Sequence, residues 1–342
     1  MKHVFYVTSH LTFNITNKIV ELDDIKPQDC VLLLAREYHI PEKFNAQYPN
    51  QIATSYNISV NQGRVFAGVN IFKTQNNIRY FDKLVDEYIK GEDFVWYASV
   101  CSNDICSLMV TKSNCVGFYI VEDGLASYRD FNPQTFTGAR YWMYRLLLKP
   151  FFNRIFAVKN HFISDDDPKF KGCIATNTRC FPLHQHCLRV IGLPFEDVEL
   201  DEIPNAILSV DPLFLVIDEQ ATRKVYEQLA AYIQSKGYQT LAYKFHPRFN
   251  AQSNKELKEM YQSMLQQYFM VPMIELAPDV VIEGVLKNYK CDFYTSNSSI
   301  AIYGAAAGAT CYSYIPLLKP FTDAFSADSL IPQVCTLIEC LP

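Results

Sequence analysis

Apolar residues along the first half of the chain fall into short blocks with two different rhythms. Residues 3–8, 30–35, 64–72, 94–100 and 116–121 are near-continuous runs of Val, Ile, Leu, Phe and Tyr. Runs of this length without polar alternation read as strands buried on both faces. Between the third and fourth, Ile78, Phe81, Leu84, Val85 and Ile89 recur at helical spacing, which predicts a helix over 77–90. A further helix is expected over 138–148. From 150 to 200 the rhythm weakens. Strand-like pieces at 155–163 and 172–176 flank the polar turn Ser164-Asp165-Asp166-Asp167-Pro168. Leu193-Pro194 and the acidic stretch from Glu196 to Glu202, closed by Pro204, predict an inter-domain linker over 195–207.

The alternation then restarts. Strands are expected at 213–217, 239–245, 273–276 and 291–295, with helices at 221–236, 254–269, 279–288 and 300–309 between and after them. Strands alternating with amphipathic helices imply parallel sheets covered on both faces. The expected architecture is α/β: two Rossmann-like domains, 1–200 and 206–342, facing each other across a cleft.

Composition narrows the functional classes. Hydrophobic residues make up 49% of the 342, enough for two buried sheets. A net charge of −5 gives no general basic field for nucleic acid. The eleven cysteines show no paired CxxC spacing, which fits reduced thiols in the cytoplasm. The N-terminus runs straight into a strand-like block and lacks the features of a signal peptide. No apolar run approaches the roughly 20 residues that span a bilayer, so membrane association, if any, is expected to be peripheral.

The chemistry lies at three strand ends. The run Val116–Val121 meets Glu122-Asp123-Gly124; strand 239–245 meets His246-Pro247; strand 291–295 meets Ser296-Asn297-Ser298-Ser299. Ligands of open α/β sheets bind at the carboxyl ends of strands. Glu122 and Asp123 are candidates for proton transfer there, with an ordinary turn as the alternative role. His246 is tunable near neutrality, with a structural, hydrogen-bonded histidine as the alternative role, and Pro247 keeps it extended. Ser298 and Ser299 open a helix, where amides and dipole attract an anion; one of them can equally serve as the helix cap. A carboxylate and an imidazole converging on one cleft suit displacement at carbon, the first activating a hydroxyl and the second assisting a leaving group.

These motifs, in this order, resemble the bacterial sialyltransferases and polysialyltransferases of the two-domain GT-B type. The resemblance touches 116–124 and 241–310. It implies metal-independent, inverting transfer of sialic acid from CMP-sialic acid to a hydroxyl of a glycan acceptor, in the biosynthesis of a surface oligosaccharide or capsule. It implies that Glu122 or Asp123 is the general base, with Gly124 in the same motif. It gives His246, with Pro247, a role on the CMP phosphate, and places that phosphate on Ser298 and Ser299, with Asn297 in the same turn. Glu283, fifteen residues before Ser298, would hold the ribose. In some relatives the base comes from the second domain, which makes Asp218 the alternative; its other role is to cap the helix that follows.

Other readings rank lower. Asp165 and Asp167 have the Asp-x-Asp spacing that holds a divalent cation on a nucleotide diphosphate sugar. His184, His186 and Cys187, with Cys180, offer scattered zinc ligands. Gly304 to Gly308 departs from the dinucleotide fingerprint and is expected to let a helix pack closely. A non-catalytic glycan- or nucleotide-binding protein is the alternative from outside enzymology.

Overall fold

The computed structural model describes residues 1–35, 38–53, 71–99, 104–128, 167–250, 254–323 and 338–341. The chain divides into two compact units, Met1–Pro194 and Phe195–Pro342.

In unit 1 the strands are β1 (Lys2–Val7), β2 (Cys30–Leu34), β3 (Gln51–Ala53), β4 (Phe94–Ala98), β5 (Cys115–Val121), β6 (Phe170–Ala175) and β7 (Leu188–Val190). They form one sheet in the order β3-β2-β1-β4-β5-β6-β7, with every pairing parallel. The helices are α1 (His10–Leu22), α2 (Ile71–Ile89) and α3 (Asp104–Val110). Alternate residues of the strands face opposite layers. Phe5, Val7, Leu32, Leu34, Tyr97 and Val121 share a core with Phe13 and Ile19 of α1. Trp96, of the other parity on β4, donates its indole N–H to the Cys106 thiol of α3 at 3.4 Å.

Unit 2 contains β8 (Ala206–Val210), β9 (Leu241–Phe245), β10 (Met273–Glu275), β11 (Asp292–Thr295), β12 (Cys311–Ser313) and β13 (Glu339–Cys340). Their order is β10-β9-β8-β11-β12-β13, again all parallel. The helices are α4 (Glu219–Ser235), α5 (Lys255–Tyr268), α6 (Ile282–Tyr289), α7 (Ser299–Ala306) and α8 (Ile315–Leu318). Ala206, Leu208 and Val210 pack with Val225, Leu229 and Ile233 of α4 and with Tyr261 and Leu265 of α5. On the opposite face α6 and α7 pair closely: a side chain at Gly304 would place its Cβ 2.6 Å from Leu286 Cδ1. That close approach is the expected role of the small-residue stretch 304–308.

Three sequence expectations are corrected here. The run 213–217 is not a strand: residues Leu213–Leu215 form a short 3-10 turn after Pro212. The strand is β8, which begins at the end of the expected linker and runs on to Val210. All five β8 residues are buried, whereas Leu215 is 52% exposed. At about 1.5–3 kcal/mol for each buried aliphatic side chain, the register that buries the whole run wins. The segment 195–205 is likewise no slack linker. Lys287 Nζ donates to the Phe195 carbonyl at 2.9 Å, the Leu200 amide donates to the Tyr289 hydroxyl at 3.0 Å, and Phe195 packs on Tyr303. Residues 71–72, expected to end a strand, open α2. The expected helix 138–148, strand 155–163, the rest of strand 64–72, and Asp165 lie outside the described residues.

Candidate functional site

Each sheet has one place where the chain reverses its direction of winding. In unit 2, β8, β9 and β10 step to one side, and β11 begins on the other side of β8. Helices on the two sides then cover opposite faces, which leaves a crevice at the carboxyl ends of β8 and β11. His246 follows β9, Asp211 follows β8 and Ser296 follows β11, so the three sit along one stretch of that edge.

Asp211 organises the edge. It is 7% exposed. Its Oδ1 accepts from the Ser209 hydroxyl at 2.9 Å. Its Oδ2 accepts from the Thr295 hydroxyl at 3.0 Å, the Ser296 amide and hydroxyl at 2.7 Å each, and the Tyr314 hydroxyl at 3.0 Å. These donors satisfy the hydrogen-bonding capacity of a carboxylate that burial removes from water. It fixes the start of the loop that leads to α7. The sequence does carry a signal for it: Ala206 to Val210 is an apolar run that ends at Asp211-Pro212, as the run of β5 ends at Glu122-Asp123. The more apolar neighbour 213–217 masks it.

The sheet ladder extends to His246, whose amide donates to the Val210 carbonyl at 3.1 Å. Its Nδ1 accepts from the Arg248 amide at 3.2 Å. In the neutral ring the proton therefore sits on Nε2. Burial lowers the imidazole pKa from its ordinary 6.5; the Asp211 charge opposes that shift and Arg248 adds to it. Pro247 opens a short 3-10 turn over Pro247–Asn250.

Ser298 caps α7: its hydroxyl accepts from the Ile300 amide at 3.3 Å. Ser299 is the first residue of the helix and is half-buried. Between Ser296 and Ser298, the Asn297 Oδ1 is buried with no hydrogen-bond partner. Glu283 lies in the first turn of α6. Burial raises its carboxyl pKa, and Lys244 partly offsets the rise. Lys244 itself is lowered by burial and donates to the Val280 carbonyl just ahead of α6. Lys244 and His246 alternate with Phe245, which belongs to the α4–α5 core, so both belong to the face covered by α6 and α7.

In unit 1 the two acids separate. Glu122 is 0% exposed. Its Oε1 accepts from the Tyr128 hydroxyl at 3.0 Å and its Oε2 from the Thr176 amide at 2.7 Å. Asn177 completes this network by donating to Tyr128. Burial, and then the Glu122 charge, push up both the Tyr128 hydroxyl and the Cys180 thiol. Asp123 is half-buried, and its amide donates to Ser127 Oγ at 2.8 Å. Gly124 turns the chain away with φ +63°, a conformation that side-chain-bearing residues rarely adopt.

Asp218 is a helix cap: its Oδ1 accepts from the Ala221 amide at 2.8 Å at the start of α4. Asp167 accepts from the Lys169 amide at 2.9 Å and so closes a turn. Among the described residues no three His, Cys, Asp or Glu side chains gather as a metal site, the set around His184, His186 and Cys187 included.

No protein-family model matches the chain, and no curated protein matches it. Solved structures do. The MnaA–UDP co-structure from S. aureus is 13% identical, covers 95% of this chain and 81% of its own, and superposes with a TM-score of 0.51. A protein assigned as a UDP-N-acetylglucosamine 2-epimerase from Listeria monocytogenes is 9% identical, with 98% and 82% covered and a TM-score of 0.55. At such identities the likeness is one of fold. Two parallel-sheet, Rossmann-like units in this arrangement of strands give the chain an α/β GT-B fold. Among the described residues no helix is long and apolar enough to cross a membrane.

Proposed function

We propose that this protein is a glycosyltransferase that takes its sugar from a nucleotide donor, and that the donor is CMP-sialic acid. The observation that carries the reading is the carboxyl edge of unit 2. There an imidazole, a capped helix N-terminus and an unpartnered buried amide oxygen adjoin the winding reversal of the sheet. Helix amides with the Ser298 and Ser299 hydroxyls suit a phosphate monoester. Asn297 Oδ1 offers an acceptor to a ligand donor, and Glu283, half-buried in the first turn of α6, suits ribose hydroxyls.

The chemistry then divides as follows. A base removes the proton of the acceptor hydroxyl, whose oxygen attacks the anomeric carbon with inversion. The bond from that carbon to the CMP phosphate oxygen breaks, and CMP leaves. His246 presents Nε2–H to the departing phosphate, so charge that develops there meets a donor already in place. Asp123 is the better base of its pair, because it is half-buried at the strand end whereas Glu122 is 0% exposed. The proposed base belongs to unit 1 and the proposed donor-binding groups to unit 2. The leaving monophosphate is stabilised by protein groups, so the reading needs no metal. The product fits a glycan of a cell surface or capsule.

A second reading rests on the UDP in the S. aureus structure of the same fold: the donor is a UDP-sugar, with Asp165 and Asp167 as candidate ligands of a divalent cation. Incubation with CMP-sialic acid or UDP-N-acetylglucosamine and a panel of glycan acceptors, with EDTA or with Mn²⁺, separates the two. Turnover of CMP-sialic acid in EDTA is expected. Activity confined to the UDP-sugar, or lost to EDTA and restored by Mn²⁺, would select the second reading. Nucleotide binding without turnover would make the protein a binding module.

A further inference from the structure

The two units place the same element at the same point and fill it differently. In each sheet the first strand lies beside the strand that begins the reversed winding: β1 beside β4, and β8 beside β11. The register Phe5↔Tyr97, carried two residues on, sets Val7 opposite Ser99. The register Leu208↔Tyr294, carried two residues on, sets Val210 opposite Ser296. The residue after the first strand is Thr8 in unit 1 and Asp211 in unit 2. Thr8 and Ser99 therefore stand where Asp211 and Ser296 stand.

In unit 2 that position is satisfied, because Asp211 Oδ2 receives the Ser296 amide and hydroxyl at 2.7 Å. In unit 1 it is not. Thr8 and Ser99 are 6% and 5% exposed, and neither Thr8 Oγ1 nor Ser99 Oγ has a hydrogen-bond partner. Buried hydroxyls without partners cost free energy, and two at one sheet edge call for an acceptor that the described residues do not supply. The other hydroxyls there are engaged. Ser9 Oγ accepts from the Thr12 amide, Thr12 Oγ1 accepts from the amides of Thr8 and Ser9, and Thr16 donates to the Thr12 carbonyl.

The surroundings set the charge of the missing group. Thr8 immediately precedes the cap of α1, a helix of 13 residues whose first turn has no acidic side chain. Its N-terminal dipole favours an anion. By strand parity Ser99 lies on the face of Tyr97, which packs in the core shared with α1. Thr8 and Ser99 thus directly follow the neighbouring strands β1 and β4 at the carboxyl edge of the sheet, where α1 begins.

We infer that the carboxyl edge of β1 and β4 in unit 1 binds an oxyanion, a carboxylate or a phosphate, which takes the place that the Asp211 carboxylate fills in unit 2. This goes beyond the functional reading above, which assigns unit 1 only a base. It adds that a second substrate is itself acidic: a glycan bearing a uronate-type carboxylate or a sugar phosphate.

Calorimetric titration of the full chain tests this without reading turnover, so it stands apart from the donor assignment. The probes are glucuronate and inorganic phosphate, which separate the two sources of the anion. One of them is expected to bind. Affinity should fall about tenfold or more in the Thr8→Val, Ser99→Ala double variant, through loss of two hydrogen bonds to a charged group. Thr8→Asp supplies the acceptor internally and should abolish binding while raising the midpoint of thermal unfolding. Ser298→Ala with Ser299→Ala should leave the Thr8-dependent component in place. The inference is overturned if neither probe binds at millimolar concentration. It is equally overturned if binding is the same in the wild type, the double variant and Thr8→Asp, or is lost only in the Ser298, Ser299 variant.

Discussion

Adjacent side chains can differ more than distant ones, and Glu122 and Asp123 do. Glu122 accepts two hydrogen bonds in a closed network, while Asp123 is half-buried beside it. Asp123→Asn is expected to lower kcat by about two to four orders of magnitude with nucleotide affinity unchanged, the usual worth of a positioned base. Glu122→Gln should instead lower stability in urea unfolding by about 1–3 kcal/mol, because one donor of its network then meets a donor. If the losses fall the other way round, the roles are exchanged. His246 supplies a pH prediction. Its folded pKa lies below 6.5 through burial. The stability this contributes is complete above 6.5 and is lost as pH falls through the folded value, since the unfolded ring takes up its proton first. A phosphate monoester beside the ring favours the imidazolium and should raise the pKa. Histidine NMR with and without CMP reads both values. An unchanged pKa at saturating CMP would remove His246 from the phosphate.

At the scale of elements, close approach sets limits that propensity does not. Gly284 lies within α6, where alanine would be preferred intrinsically by about 1 kcal/mol. Yet a Cβ there would stand 2.4 Å from the Glu196 carbonyl oxygen and 2.7 Å from Val198 Cγ2. The 195–205 segment is held to α6 by Lys287, Asn288 and Tyr289. Gly284→Ala is therefore expected to destabilise by about 1–3 kcal/mol despite the gain in propensity, as overpacked sites do. A neutral or stabilising effect in urea unfolding would mean that the segment is not packed as described. The same packing explains why an acidic, proline-bounded stretch that resembles a linker does not act as one. Its backbone carbonyls and amide bond α6, and Asp197 pairs with Lys287 at 2.9 Å.

For the whole molecule, each unit has a core of its own: Phe5, Phe13, Leu32 and Ile174 belong to one, and Leu208, Val225, Tyr261 and Tyr294 to the other. The donor-side groups His246, Asn297, Ser298, Ser299 and Glu283 all belong to the second. Residues 195–342 alone are thus expected to unfold cooperatively and to bind CMP with the affinity of the full chain, but to transfer no sugar. A fragment that binds only when unit 1 is added would place part of the nucleotide site in unit 1. This fragment must begin at Phe195. A version starting at 206 loses the strap on α6 and should be markedly less stable.

The sequence by itself determined the class of fold. Short unalternating apolar runs interleaved with amphipathic helices have one economical solution, parallel sheets covered on both faces, and β1, β2, β4, β5, β9 and β11 lie where those runs lie. It also marked the strand ends at Glu122, His246 and Ser298, because polar residues after an apolar run stand out locally. Strand order, register and parity were beyond it, since they depend on pairings between segments far apart in the chain. Those pairings made β8 a strand and 213–217 a turn, by burying one run completely and leaving Leu215 outside. They assigned Glu122 to a closed network with Thr176, 54 residues away. They also brought Asp211 against Thr295, Ser296 and Tyr314, up to 103 residues away. The unpartnered pair Thr8 and Ser99 belongs to the same class of fact. Each is an ordinary hydroxyl in sequence, and only the pairing of β1 with β4 sets them side by side without an acceptor.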